Sequence, residues 1–206
     1  MKIERFVTGI MSTNCYLVVQ EDTKQAVIID PAACPKQMVD AIKEQGLIVE
    51  GILLTHGHFD HIMGIDGFLE EFQVPVYVQE AEEETMNNPM FNLSASYTKG
   101  YAFSKAQYVR DGQRLSLAGM EFQVIHTPGH TPGGCCYYVE AEKVLFSGDT
   151  LFQCSIGRTD FPNGSTSDLV RSVREKLFAL PDETKVYPGH MGETMIGYEK
   201  MHNPYV

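Results

Sequence analysis

The sequence is short of basic residues: 16 Lys and Arg stand against 27 Asp and Glu, for a net charge of −11 at pH 7. Nucleic acids and anionic membrane surfaces are bound through a basic face, so neither is an expected partner. Long apolar runs are also missing, and none approaches the roughly 20 residues that a membrane-spanning helix needs. Met1 to Thr13 has neither the apolar core nor the small-residue cleavage site of a secretory signal. Cysteine is scarce and odd in number: Cys15, Cys34, Cys135, Cys136 and Cys154, with no CxxC pair. That argues against a disulfide framework and against a structural zinc knuckle. A cytoplasmic location is the expectation. The two Asn-x-Ser triplets, at Asn92 and Asn163, then carry little weight as glycosylation sites.

What remains is an ordinary folding composition, 43% apolar and 21% charged over 206 residues. At roughly 150 residues per domain, one domain over residues 1–206 is expected. A chain of this length buries about 70% of its unfolded surface without covalent staples.

Residues 2–30 read as strands, with Cys15–Gln20 and Gln25–Ile29 flanking the polar turn Glu21 to Lys24. Pro35 to Gln45 reads as a helix that buries Met38, Val39 and Ile42 and stops at Gly46. Leu47 to Leu54 is a nearly continuous apolar run, as in a strand buried on both faces. A helix over Ile62–Phe72 and a strand over Val74–Val78 follow. Residues 87–104 show no clear periodicity and read as a long loop or an irregular helical excursion, a candidate lid. Strands are expected at Gln113–Leu117, Met120–His126, Cys135–Val139, Lys143–Phe146 and Lys185–Tyr187. A helix is expected over Asp168–Leu180. Strands with helices in both halves imply two sheets with helices on their outer faces.

The chemistry-bearing residues sit where these strands end. His56-Gly57-His58-Phe59-Asp60-His61 directly follows the apolar run. Imidazole nitrogen and carboxylate oxygen are the ligands that borderline divalent metals prefer. Four such side chains in six residues exceed what one short loop can aim at a single ion, so two adjacent ions are expected. His130, Asp149 and His190 each follow another strand and each lies next to a glycine.

Together, the HxHxDH run and the later His130, Asp149 and His190 resemble the metallo-β-lactamase-fold hydrolases, from Asn14 to about Pro204. Gly148 to Phe152 and Gly157 to Pro162 further resemble the short hydroxyacylglutathione hydrolases, the glyoxalase II-like group. The resemblance implies an α/β protein, an αββα four-layer sandwich. It implies that His56, His58 and His130 hold one divalent ion, and that Asp60, His61 and His190 hold a second. Asp149 bridges the two together with a hydroxide, and Asp60 orients the nucleophile or takes its proton. Zinc is the expected metal, with iron and manganese compatible with the same donors. The implied reaction is hydrolysis of the thioester of S-2-hydroxyacylglutathione, such as S-lactoylglutathione, a small-molecule substrate. Longer glyoxalase II enzymes bind glutathione through basic residues of a C-terminal helical extension, which is not expected here. Arg158 is then the candidate substrate contact.

Other readings stand beside these. Persulfide dioxygenases share the fold and the Gly157 to Phe161 run, and by that resemblance His56, His130 and Asp149 would hold one iron. Lactones and β-lactams are further substrate classes; Asp149, where one large β-lactamase group has a cysteine, disfavours the latter. An interaction module would leave all seven ligand candidates idle. His126 reads equally as support for a ligand or as a plain strand-end residue. Cys154 could face the site. Adjacent Cys135 and Cys136 read as packing on opposite strand faces. Glu80, Glu82, Glu83 and Glu84 read as a solvated helix start. The apolar residues of 86–104 line an acyl pocket, fill the core or form a subunit contact.

Overall fold

The computed structural model describes residues 1–206. Alternating side chains in the strands build three apolar layers. Residues Tyr16, Val18, Val27, Ile29 and Leu53 of the first sheet meet Phe122, Val124, Tyr137, Val139 and Phe146 of the second. The intervening residues point outwards. Leu17, Val19, Ile28 and Ile52 pack under helices carrying Met38, Ile42, Ile65 and Phe68. Ile125, Cys136, Leu145 and Val186 pack under Val173, Leu177 and Ile196. The result is the expected αββα sandwich. Cys135 lies in the central layer and Cys136 in the outer one, as strand alternation requires.

The first sheet runs in the order β1 (Lys2–Thr8), β2 (Thr13–Gln20), β3 (Gln25–Ile29), β4 (Ile48–Leu53), β5 (Val76–Gln79) and β6 (Gln107–Val109). Its β3, β4, β5 and β6 are parallel. The second contains β7 (Arg114–Leu117), β8 (Met120–His126), β9 (Cys135–Val139), β10 (Val144–Gly148), β13 (Lys185–Pro188) and β14 (Thr194–Met195). A two-stranded ribbon, β11 (Leu151–Phe152) and β12 (Ser155–Ile156), stands apart. The short β6, β11, β12 and β14 were not individually legible as strands.

Three expectations change. The helix expected over 62–72 is two pieces, α2 (Phe59–Ile62) and α3 (Ile65–Phe72), after α1 (Lys36–Glu44). The break falls at Gly64, whose N–H donates to Pro31 O at 2.7 Å. A Cβ there would stand 2.5 Å from the Ala33 carbonyl carbon. Residues 83–97 hold α4 (Glu83–Asn87) and α5 (Ser94–Tyr97) within the irregular excursion. The helix expected over 168–180 begins earlier, as α6 (Thr166–Arg171), because the Ser165 side chain caps it by accepting from Asp168 N–H. Its continuation, Ser172–Leu177, is a wider π turn, closed by Phe178 N–H donating to Val173 O. The strand expected over 47–54 is buried on both faces only from Gly51 onward; Val49 is buried, but Ile48 is exposed and Glu50 half-buried. Helix α7 (Ile196–His202) follows β14, and no helix is long and apolar enough to cross a membrane.

Candidate metal centre

The two sheets are stitched together at one end, and the ligand candidates lie there. Cys135 N–H donates to Thr55 O, and Tyr137 O–H to Leu54 O, joining β9 to the end of β4. Asn14 and Tyr16 on β2 both donate to Pro188 O at the end of β13. The loop after β4 carries His56, His58, Asp60 and His61; the β8–β9 loop carries His130; Asp149 follows β10 and His190 follows β13. The fold therefore brings all seven to one place.

Their ligand atoms form three overlapping groups, each within 4.8 Å: His56, His58 and His130; His56, His61 and Asp149; Asp60, His61 and His190. Asp149 stands at the centre. Its carboxylate lies 3.5 Å from each of His130 Nε2, His61 Nε2 and His190 Nε2. His190 Nε2 is also 3.2 Å from Asp60 Oδ2. Two atoms each about 2.1 Å from one tetrahedral ion stand about 3.4 Å apart, which these spacings match. His56 Nε2, His58 Nε2, His61 Nε2 and Asp149 Oδ1 are buried with no hydrogen-bond partner. Buried polar atoms are rarely left so, and ions would satisfy a cluster of them. The cluster fits a dinuclear metal site.

Hydrogen bonds behind the cluster aim these atoms. His61 Nδ1 faces Asp30 Oδ2 at 2.9 Å, and His130 Nδ1 faces Arg158 O at 2.6 Å. Both partners only accept, so Nδ1 carries a proton and Nε2 is the nitrogen turned towards the cluster, where His130 Nε2 lies 2.9 Å from His58 Nδ1. Thr55 Oγ1 donates to Asp30 Oδ2 and lies 3.2 Å from His56 Nδ1. Asp30 thus orients two histidines. Thr13 Oγ1 donates to Asp60 Oδ2 at 3.0 Å.

Electrostatics divide the cluster. Burial, reinforced by neighbouring imidazoles, holds His56 and His58 well below the usual histidine range. Burial also lowers His130, against the pull of Asp149. Burial opposes the charge on His61 too, but Asp60, Asp30 and Asp149 outweigh it and raise His61 to about 10. His190 is raised by Asp60 and Asp149 against burial. Asp60 is held far below the usual carboxylate range: His61 and His190 overcome its desolvation.

The cluster opens on a cavity of about 370 Å³. Phe59, Leu93, Tyr97, Phe152, Ile156 and Phe161 supply its apolar walls, so the irregular excursion contributes to it through Leu93 and Tyr97. Arg158 lies at its edge, held by two hydrogen bonds to Asp160 and stacked 4.3 Å over Phe161.

Several readings of the sequence are corrected. Glu82 is not a solvated helix-start residue; it is fully buried and accepts from Gly57 N–H and Gly133 N–H, each at 2.8 Å. Glu80, Glu83 and Glu84 are exposed as expected. Cys154 does not line the cavity; it lies beside Tyr198 O–H and Glu199. His126 touches no ligand candidate and reaches Pro132 O instead. Asp30 was overlooked, although it ends β3 as Asp149 follows β10, and that strand-end position was the available signal.

The family model for the metallo-beta-lactamase superfamily matches residues 8–190, and the chain belongs to that superfamily. It is a metallo-hydrolase of that class. The "Probable metallo-hydrolase YqgX" of Bacillus subtilis is 36% identical across 100% of this chain and 98% of that protein. "Hydroxyacylglutathione hydrolase GloC" of Haemophilus influenzae is 34% identical over 100% and 98%. Among solved structures, the BLEG-1 B3 metallo-beta-lactamase superposes with a TM-score of 0.93 at 38% identity, covering 99% of both chains. TTHA1623 in a di-iron-bound form has a TM-score of 0.82 at 34% identity, covering 98% and 100%. ETHE1 from Myxococcus xanthus has 0.81 at 33%, covering 99% and 84%.

Proposed function

We propose that this metallo-hydrolase cleaves thioesters, with S-2-hydroxyacylglutathione as the substrate to test first. The observation that carries this reading is what the cavity lacks. Outside the ligand candidates its polar side chains are Tyr97, Ser155 and Arg158, with no imidazole, carboxyl or ammonium free to protonate a leaving group. A departing thiolate needs no such proton, because free thiols ionise near pH 8.5; a departing amide nitrogen does. The relative named as a hydroxyacylglutathione hydrolase supports the same choice.

His56, His58 and His130 would hold one ion, Asp60, His61 and His190 the other, and Asp149 would bridge them. When bound, a pair of such ions lowers the pKa of water and polarises a carbonyl. The chain supplies the rest. Asp60, kept ionised by His61 and His190 and held by Thr13, is placed to orient the attacking water. Phe59, Tyr97 and Phe161 shield the reacting carbonyl from bulk water. Arg158, pre-oriented by Asp160, presents the one cationic side chain of the cavity to a substrate carboxylate.

The test is S-lactoylglutathione hydrolysis by purified protein, with metal content recorded on the same sample. Turnover above about 1 per second that chelation removes is expected. A fully metallated sample with no turnover overturns the substrate. A β-lactam and a persulfide belong in the same assay, because the neighbouring structures include a B3 metallo-beta-lactamase and the Gly157 to Phe161 run also resembles the persulfide dioxygenases. Two ions per chain are expected; a single iron with oxygen uptake would favour a persulfide dioxygenase.

A further inference from the structure

Glu82 is fully buried, and no cation pairs with it. Removing a carboxylate from water without a counter-charge is costly, so a chain that does so must gain something from its placement. Its two oxygens are divided between two loops. Oε2 accepts from Gly57 N–H, between His56 and His58, and Oε1 accepts from Gly133 N–H, in the loop that carries His130. Both glycines are pressed against it. A Cβ on Gly57 would stand 2.9 Å from Glu82 Oε2, and a Cβ on Gly133 would overlap the Glu82 backbone nitrogen. One side chain, on the short helical turn Glu80–Glu82 that precedes α4, therefore fixes the separation of the two loops that carry His56, His58 and His130. Glu82 makes no hydrogen bond to Asp60, His61 or His190; Asp60 and His61 lie further along the first loop, beyond Phe59, whose N–H is held by Asn92 O.

We infer that Glu82 is a positioning residue for one half of the metal centre, setting the distance between the His56–His58 loop and the His130 loop. This rests on the metal-centre reading above. The segment that runs on from Glu82 through α4 and α5 also supplies Leu93 and Tyr97 to the cavity. At Phe59 its Asn92 O accepts the backbone N–H. The same segment thus holds both the ligand loops and the substrate wall.

The test is zinc binding by chelator competition on wild type, Glu82→Gln, Glu82→Asp and the exposed control Glu83→Gln. Wild type and Glu83→Gln are expected to bind two ions. Glu82→Gln is expected to bind one of them 10–100-fold more weakly, as for other residues that orient ligands, and the second unchanged. Glu82→Asp, which keeps the charge but is one methylene shorter, should fall between. The same loss should appear as a changed cobalt(II) spectrum. Melting midpoints with zinc and with chelator separate positioning from bulk stability. A positioning role reduces the increment that zinc adds. A merely structural role lowers both midpoints equally and leaves two tight ions, which overturns the inference. Should Glu82→Gln fail to fold, Glu82→Asp is read alone, and affinity equal to wild type overturns it. Wild type that binds no zinc overturns the metal-centre reading itself, a different result.

Discussion

His56, His58 and His130 stand on one side of Asp149, with Asp60, His61 and His190 on the other, and the two sides are assembled by different forces. On the first side all three residues are buried imidazoles, desolvation keeps them neutral, and backbone loops clamped by Glu82 place them. On the second side carboxylates dominate, the histidines are drawn towards the charged form, and His190 is 23% exposed on its side chain. The first is a site made by packing and the second a site made by charge. Packing excludes a proton from the ligands, whereas charge attracts one that a metal must then displace.

The largest effect should come from removing what the sides share. Asp149→Ala is expected to lose both ions and at least 10³-fold in kcat, about 4 kcal/mol. Metal analysis beside the rate checks it, and unchanged metal content would sink the bridging assignment. Next comes Gly189→Ala, whose added Cβ would overlap Asp149 Oδ1 and stand 2.7 Å from His61 Cε1. Displacing groups by such amounts costs about 10²-fold in rate. Because Asp149 serves both sides, a stoichiometry measurement should show both ions weakened, the one on the His61 side more.

Asp30→Asn blurs the division, since Asp30 serves a histidine on each side. Metal affinity should fall 10–100-fold. It also changes the pH behaviour of chelated protein. Because His61 is raised from 6.5 to about 10, its charge adds stability that is complete below about 6.5 and is lost as pH rises through about 10. Denaturant midpoints of chelated wild type should drop across that window, and those of Asp30→Asn should drop less and at lower pH. An identical profile would remove Asp30 from the account. The smallest effect is expected at Arg158, which touches neither side with its guanidinium. Arg158→Ala should raise KM for an anionic thioester by up to about tenfold and leave kcat unchanged, since His130 is held by the Arg158 backbone carbonyl. A fall in kcat alone would point to a different substrate pose.

Local patterns made much of the architecture legible. β-branched residues beside a polar turn marked Gln25–Ile29, and Pro35, three spaced apolar residues and Gly46 marked α1. Strand-end histidines and aspartates marked the centre. The failures have a common cause. Gly64 breaks a helix because Ala33 lies against it, and Glu82 is buried because Gly57 and Gly133 meet it there. Neither neighbour is close in sequence.

By itself, the sequence determined which segments could become strands and which donors could bind a divalent ion. Those properties reside in residue type and short-range periodicity. Only the tertiary structure decided which donors share a group, which ring nitrogen each histidine presents, and which of four neighbouring glutamates is buried. Each depends on a partner far away in the chain, such as Asp30 for His61 or Asp149 for His190. Hydrogen bonds and Coulomb forces act over a few ångströms, so only the packing of the two sheets brings those partners within reach.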